Sequence, residues 1–281
     1  MLKSGQYPRP QSTKMNLRIC VYVLSLLCGT LVGDARAVSL CLDRPISFAH
    51  YEFGLLFSEG YGGIDDDVQK ELAKRSGCKF TTDLRPRARI WVELERGTLD
   101  MAGSGVQNPT RDKFAWFAHY VVEDNHVHIG PQVPLAIKSM DDFIADPKLT
   151  VGGVRSYSYS PNYDSQIQSL IDAKRFYSVN DPVMLYRMFD AGRYDIFIAS
   201  QFLSLHYFKI LRLKPPKRIE DWDPDPPTPS GLVVSKKSFT PAQGEGWQRL
   251  IAQMVADGTV RKILTKHMGE EIGPRAIYGR P

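Results

Sequence analysis

The chain has 281 residues, of which 43% are hydrophobic and 24% are charged, and its formal net charge is +5. This composition is ordinary for a globular protein, and the length is sufficient for two domains. Much of the charge lies near the start: removing residues 1–37 removes five basic residues and one acidic residue, which leaves a net charge of +1. The charge balance therefore gives no reason to expect a nucleic-acid partner.

Residues 1–37 have the features of a secretory signal peptide. Two basic residues, Lys14 and Arg18, precede the apolar run Ile19–Val32, and Ala35–Ala37 supplies an A-x-A cleavage site. The apolar run is too short to span a membrane. We therefore expect an exported protein that is soluble after cleavage.

Two cysteines remain after the predicted cleavage, Cys41 and Cys78. An even pair in an oxidising compartment is typical of a disulfide. Two buried free thiols on neighbouring strands are an equally good interpretation, because the sequence does not give the Cα separation on which a disulfide depends.

The first part of the chain alternates strand and helix. Predicted strands are Val38–Leu42, Cys78–Leu84 and Leu99–Gly103, and predicted helices are Ile64–Ser76, which stops at Gly77, and Ala88–Arg96. An aromatic loop, Phe48–Phe57, follows the first predicted strand. This alternation predicts an α/β fold with parallel strands, in which ligands bind beyond the carboxyl ends of the strands.

The stretch from Leu99 to Tyr120 carries the strongest site prediction. Its strand is expected to end in Gly103-Ser104-Gly105, where small side chains leave backbone N–H groups open to a ligand. The chain then breaks at Asn108-Pro109 and restarts as a short helical segment that begins near Arg111. A guanidinium at this place fits a carboxylate or phosphate bidentately.

Two clusters have residue types that bind metals. Asp65–Asp67 open the first predicted helix, where acidic side chains complement the helix dipole, and His126 and His128 share one face of an extended segment, Val121–Ile129. A metal site is the alternative in each case, but neither cluster offers a full ligand set. We therefore expect no metal and no cofactor.

A second strand–helix alternation predicts a second domain. Its predicted elements are the strands Leu149–Val154, Arg175–Val179 and Tyr194–Ala199, and helices over Asn162–Ile171, from Asp181-Pro182 to Gly192, and from Ser200 to Lys209. A proline-rich connector, Lys214–Ser230, leads to a last strand, Gly231–Ser235, and to two closing helices separated at Asp257-Gly258.

Five segments together resemble the family 3 periplasmic solute-binding proteins of amino-acid ABC transporters. They are GGIDDDVQKELAKRSGC (Gly62–Cys78), ERGTLDMAGSG (Glu95–Gly105), NPTRDKFAWFAHYV (Asn108–Val121), AGRYDIFIAS (Ala191–Ser200) and GWQRLIAQMVADGTVRKILTKHMG (Gly246–Gly269). The resemblance implies a two-lobed clamp of the type II periplasmic-binding-protein class, with a mostly parallel sheet flanked by helices in each lobe and two hinge connections. Its expected boundaries are residues 1–37 for the signal peptide, 38–124 and 230–281 for lobe 1, and 125–229 for lobe 2.

The resemblance also implies a set of ligand-binding residues. Arg111 takes the place of the arginine that holds the ligand carboxylate, Ser158 stands where a second-lobe hydroxyl helps to hold it, and aromatic residues after the first strand cover the ligand. The full expected set is Arg111, Ser104, Gly105, Val106, Phe48, Tyr51, Arg155, Ser158 and Ser200.

The sequence departs from the family pattern at three of its positions. Ser200 stands where an acidic residue usually pairs with the ligand ammonium group, and a serine there also suits a helix N-cap. Val106 stands near an expected threonine, and Tyr157 stands where glycine is usual. We therefore expect carboxylate binding to be retained and the binding of α-amino acids to be weakened, because a buried ammonium group without an acceptor is costly.

The predicted function is capture of a small carboxylate-bearing solute by cleft closure in the periplasm, by a monomer, for an ABC transporter permease or a membrane sensor. Two alternatives remain open. One is an enzyme like the cyclohexadienyl dehydratases, which use the same fold and for which Glu52 or Glu123 would have to supply a general acid. The other is a ligand-degenerate sensor or interaction domain.

Overall fold

A computed structural model describes residues 39–155, 157 and 159–279. The strands are β1 (Ile46–His50), β2 (Phe80–Leu84), β3 (Met101–Val106), β4 (Ala115–Glu123), β5 (Asn125–Ile129), β6 (Val151–Val154), β7 (Phe176–Val179), β8 (Ile196–Ser200), β9 (Arg218–Glu220) and β10 (Thr228–Ser235). The helices are α1 (Ile64–Ser76), α2 (Arg87–Arg96), α3 (Met140–Ala145), α4 (Pro161–Asp172), α5 (Pro182–Asp190), α6 (Gln201–Ile210), α7 (Pro241–Ala256) and α8 (Thr259–Ile272). Residues 1–37, the predicted signal peptide, lie outside the described residues.

These strands form two separate sheets. Sheet A has the order β2-β1-β3-β10-β4, and sheet B has the order β7-β6-β8-β5-β9. Each sheet is mixed: β1 is parallel to β2 and β3, and β6 is parallel to β7 and β8, whereas β10 and β5 run antiparallel to their neighbours. We call each sheet with its flanking helices a lobe, lobe A and lobe B.

The chain crosses between the sheets twice. It leaves sheet A at Glu123, the last residue of β4, and enters sheet B at Asn125, the first residue of β5; it returns between β9 and β10. The two crossings run side by side, because Thr228 pairs with Glu123 at the end of the β10–β4 ladder. Lobe A is therefore built from both ends of the described chain.

Glycine and acidic residues set the limits of α1 as the sequence predicts. The helix ends where Gly77 adopts φ 70°, in the left-handed region that favours glycine, and its N–H donates to the Ala73 carbonyl. On the exposed face, Lys70 pairs with Asp66 at 2.7 Å, and Arg75 with Glu71 at 2.7 Å. Asp65 behaves differently from its neighbours, because its side chain is buried.

Cys41 and Cys78 form a disulfide, with their Cα atoms 5.1 Å apart. The bond joins the irregular segment before β1 to the segment between α1 and β2. Of the two interpretations left open by the sequence, the structure has the disulfide. The placement of both cysteines on strands was wrong.

Three predicted elements differ most from the structure. Val38–Leu42 was expected to be the first strand, but residues 39–45 are irregular and the strand is β1, which includes Phe48 and His50 of the predicted aromatic loop. The segment after Arg111 was expected to be helical, but only Arg111–Lys113 form a 3-10 turn before β4 begins. The predicted proline-rich connector contains β9 and the start of β10.

The pairing of β4 with β10 explains why the segment after Arg111 is a strand and not a helix. β4 pairs with β10 along its whole length, from Ala115–Ser235 to Glu123–Thr228, so tertiary pairing decides the conformation of a segment whose local pattern is ambiguous. For the same reason β3 continues through Val106 and does not stop at Gly103, because Gly105 pairs with Gly231 of β10.

Candidate functional site

A cavity of about 1100 Å³ lies where the two lobes face each other. Residues just beyond the carboxyl ends of β1, β2, β3, β6 and β7 contribute to its wall, as expected for sheets with parallel strands. The two crossings between the sheets contribute Glu123, Asn125 and Thr228. The cavity wall also includes charged, amide and aromatic side chains and one valine: Tyr51, Glu52, Phe53, Arg87, Val106, Asn108, Arg111, Glu123, Asn125, Tyr157 and Tyr159.

Arg111 is held in the cavity wall by its local sequence. The Asn108 side chain accepts a hydrogen bond from the Arg111 N–H at 2.9 Å, which fixes the turn after Pro109. The guanidinium lies over the Trp91 ring, 3.7 Å from its centre, and donates to the Val106 carbonyl. Among the described residues no acidic side chain forms an ion pair with Arg111, so its remaining N–H donors can take an anionic ligand.

A second guanidinium lies in the same wall. Arg87 is the first residue of α2, just past the carboxyl end of β2, and its guanidinium lies 5.0 Å from the centre of the Tyr51 ring and 5.9 Å from that of Phe53. Burial, and then the nearby Arg87 cation, lower the pKa of Arg111. Two cations that repel each other in one cavity wall favour a ligand with negative charge.

Glu123 is the buried acid of the cavity. Burial raises the pKa of its carboxyl group, while the Arg87 cation lowers it. Its Oε1 atom is buried and has no hydrogen-bond partner among the described residues. Glu52, which also lines the cavity, already accepts a hydrogen bond from the Glu59 N–H at 2.6 Å.

Aromatic side chains from both lobes meet across the cavity. Phe53 of lobe A and Tyr157 of lobe B stack with ring centres 6.4 Å apart and planes 11° from parallel. Beside them, the Leu55 N–H donates to the Phe202 carbonyl at the start of α6, at 3.1 Å. The lobes therefore touch, and aromatic rings from both of them line the cavity.

Below the cavity lies a buried polar network. Asp65 of α1 accepts hydrogen bonds from the Ser104 hydroxyl, at 2.8 Å, and from the Tyr120 hydroxyl. The Tyr51 hydroxyl donates to the Ser104 carbonyl at 2.8 Å, which connects the network to the cavity wall. Burial raises the pKa of Asp65 to about 7, although both hydrogen bonds lower it.

The structure brings three of the expected ligand-binding residues to the cavity, Tyr51, Val106 and Arg111. Phe48 is 1% exposed and packs in the core of lobe A, and Arg155 is exposed outside the cavity wall. Ser158 lies outside the described residues.

The other expected residues make contacts within the fold and do not line the cavity. Ser104 bonds to Asp65, and a Cβ at Gly105 would lie 2.1 Å from a methyl group of Val233, so the small residue makes room for packing. Ser200 is buried, and its hydroxyl accepts from the Leu203 N–H at 3.4 Å as the N-cap of α6.

Several cavity residues were not in the expected set. Among them are Phe53, Arg87, Asn125, Tyr157 and Tyr159. The rule that ligands bind beyond the carboxyl ends of parallel strands points to Arg87, which lies three residues after the end of β2. Asn125 carries no such signal, because its place depends on where the chain crosses from one sheet to the other.

Comparison with models of known protein families shows which family the chain belongs to. Residues 47–270 match the model of the bacterial extracellular solute-binding proteins, family 3. The chain belongs to this family. Comparison with curated proteins gives no significant match.

Solved structures of similar fold include binding proteins and a sensor. An ancestral cationic amino acid solute-binding protein, AncCDT-1, is 20% identical, with a TM-score of 0.62 over 80% of this chain and 95% of that one. A structure described for glutathione import through GshT and the cystine importer TcyBC of Streptococcus mutans is 15% identical, with a TM-score of 0.62 over 81% and 96%. A histidine kinase sensor domain is 14% identical, with a TM-score of 0.59 over 80% and 96%.

These similarities show that this solute-binding protein has the two-lobed α/β clamp fold of the type II class, as the sequence predicted. Within residues 39–279, apart from the two undescribed positions, no helix is long and apolar enough to cross a bilayer.

Proposed function

We propose that this family 3 protein captures a small carboxylate-bearing solute in the cavity between its lobes. The observation that carries the proposal is Arg111, a guanidinium in the cavity wall that stacks on Trp91 and has a backbone carbonyl, not a carboxylate, as its acceptor. A planar donor fork in this setting suits a carboxylate. The Arg87 cation in the same wall adds to the attraction for an anionic group.

The contacts between the lobes support capture by closure. Phe53 stacks on Tyr157 across the cavity, and Leu55 is hydrogen-bonded to Phe202, so the arrangement is that of a closed clamp. In an open clamp these contacts separate and the cavity is accessible. A ligand that is bound at Arg111 and also contacts lobe B then favours the closed state.

The family and the predicted signal peptide support a periplasmic location. Family 3 proteins are extracellular, and residues 1–37 carry the features of a secretory signal, so we place the protein in the periplasm. Its partner there is an ABC transporter permease or a membrane sensor. The similarity to a histidine kinase sensor domain supports the membrane sensor as a candidate partner.

The test is a thermal-shift screen of the protein without residues 1–37. Each compound is offered as a pair, a carboxylate and its primary amide, across amino acids, keto acids and aliphatic and aromatic acids. We expect one or more carboxylates to raise the melting temperature and the matched amides not to do so. Equal shifts for both members of every pair would contradict carboxylate recognition.

One observation favours a second candidate, an enzyme of the cyclohexadienyl dehydratase kind. Glu123 is a buried carboxyl group in the cavity whose pKa is raised by burial, as a general acid requires. The same protein is therefore incubated with prephenate and with arogenate. Turnover abolished in Glu123→Gln would establish the enzyme, and binding without turnover would establish the binding protein.

A further inference from the structure

Three arginines lie at the start of α2, and the middle one, Arg87, differs from the other two. Arg85 and Arg89 both pair with the carboxylate of Glu93, and Arg85 also pairs with Asp83. The Arg87 guanidinium lines the cavity and forms no ion pair and no hydrogen bond with any described residue. Because a desolvated charge is costly unless it is paired, a cation in this position favours a ligand that supplies an anionic acceptor.

The Arg87 guanidinium lies over two aromatic rings. Its central carbon is 5.0 Å from the centre of the Tyr51 ring and 5.9 Å from that of the Phe53 ring. A guanidinium that stacks on a ring keeps its N–H donors at the edge of its own plane, where a carboxylate can accept two of them. The rings therefore fix the position of Arg87 and leave its donors to a ligand.

Arg87 and Arg111 meet on one face of α2. Trp91 follows Arg87 by four residues, so these two side chains are neighbours on the helix surface. The Arg111 guanidinium lies over the same Trp91 ring, 3.7 Å from its centre. The two guanidiniums thus lie close together at the N-terminal end of the helix, where the helix dipole is also positive.

Glu123 is the buried acid of the cavity, and it balances this charge only in part. It lies near Arg87, but within the described residues no ion pair joins the two side chains. Burial raises the pKa of the Glu123 carboxyl group, which favours its neutral form. A solute with two anionic groups would supply the charge that two guanidiniums in one wall require.

We propose that Arg87 binds a second anionic group of the ligand whose carboxylate lies on Arg111. This inference rests on the proposed function and narrows it to dianionic solutes, of which small dicarboxylates are the simplest. The ligand needs no amino group, which agrees with the serine at position 200. Ser200 is the buried N-cap of α6 and stands where an acid usually pairs with the ligand ammonium group.

Calorimetric titration near neutral pH with matched pairs tests the assignment. The pairs are succinate with succinamate, glutarate with glutaramate, adipate with adipamate, and isophthalate with 3-carbamoylbenzoate. In each pair a neutral amide replaces one carboxylate, and the series spans several separations of the two charges. The wild-type protein is expected to bind at least one dicarboxylate about ten or more times as tightly as its monoamide, because hydrogen bonds between two charged groups are the stronger ones.

Variants at the start of α2 make the result specific. Arg87→Met keeps an unbranched side chain over the rings and removes the charge, so the affinity for the dicarboxylate is expected to fall about tenfold or more while that for the monoamide changes little. Arg89→Ala removes an exposed cation outside the cavity wall, and we expect it to keep the wild-type preference. If Arg87→Met does not fold, as circular dichroism would show, Arg87→Gln is titrated with the same expectation.

Three results would overturn this inference: no binding of any of the dicarboxylates, monoamides bound as tightly as the dicarboxylates, or a preference unchanged in Arg87→Met. Tight binding of a monoamide that is lost in Arg111→Ala would remove the second anion subsite and leave the proposed carboxylate site in place. A thermal-shift screen in which no carboxylate acts differently from its amide would instead count against the proposed function. The two failures are therefore distinguishable.

Discussion

Asp65 occupies an unusual position for an aspartate in the first turn of a helix. The next two aspartates, Asp66 and Asp67, are half-buried and pair with basic side chains. Asp65 is instead 2% exposed and bonds to Ser104 and Tyr120 beneath the cavity. A Cβ at Gly103 would lie 2.4 Å from its Oδ2 atom, so the small residues of β3 leave space for this carboxyl group. The same glycines had been expected to open the backbone to a ligand.

Asp65 gives a prediction about stability and pH. Its pKa is about 7 in the folded state against an ordinary value of 3.8, so between these pH values the unfolded chain loses a proton that the folded chain keeps. This group therefore lowers the stability as pH rises from about 4 to 7, by at most about 4 kcal/mol. Asp65→Asn keeps an oxygen acceptor but has no proton to lose.

Urea denaturation of both proteins at several pH values measures the effect. We expect the stability of Asp65→Asn relative to the wild type to increase as the pH is raised from 4 to 7. Parallel pH profiles of the two proteins would show that Asp65 does not titrate as assigned.

At the scale of elements, local signals gave α1 and its stop at Gly77, because a glycine with positive φ and charged i,i+4 pairs are encoded within one segment. They did not give β1 or β4. β1 is a short strand covered on both sides, so its sequence lacks alternation, and β4 is fixed by its pairing with β10, more than a hundred residues later.

Among the cavity residues, too, some positions follow from neighbours in the sequence and others only from the tertiary structure. Arg111 was predictable, since its turn, its motif and its place after β3 are adjacent in the sequence. Glu123 and Asn125 meet the cavity only because the chain crosses between the sheets beside β10. Phe48 was expected to cover the ligand, but β1 directs it into the core, where it contacts Phe80.

The disulfide is expected to stabilise the part of lobe A that precedes β2. Cys41 and Cys78 are 37 residues apart and tie the start of the described chain to the end of α1. Closing a loop of this length stabilises the folded state by about 3–4 kcal/mol in the chain-entropy model. We expect the double variant Cys41→Ser, Cys78→Ser to lose about this much free energy of unfolding.

Mass spectrometry after alkylation provides the direct check. The unreduced protein without residues 1–37 should take up no alkylating reagent, and the reduced, denatured protein should take up two equivalents. Two alkylated thiols without reduction, or a double variant as stable as the wild type, would contradict this role.

At the scale of the whole molecule, the two lobes share part of one hydrophobic core. One hydrophobic cluster extends from sheet A to Tyr186 and Phe197 of lobe B, while the far side of sheet B has its own cluster around Phe143 and Tyr163. The contacts nearest the cavity, Phe53 with Tyr157 among them, are those that a clamp must break to open. We therefore expect ligand binding and the opening of the lobes to be coupled through these residues.

The most direct test of a carboxylate-binding clamp is calorimetric titration of Arg111→Ala with the tightest-binding carboxylate of the thermal-shift screen. Lys113→Ala, which removes an exposed cation from the same turn, is the control. Loss of a charge-assisted contact to a buried anion is expected to cost about 2–5 kcal/mol, so Kd should rise roughly thirtyfold or more in Arg111→Ala, with a nearly unchanged melting temperature of the free protein and wild-type affinity in Lys113→Ala. Wild-type affinity in Arg111→Ala would contradict the account.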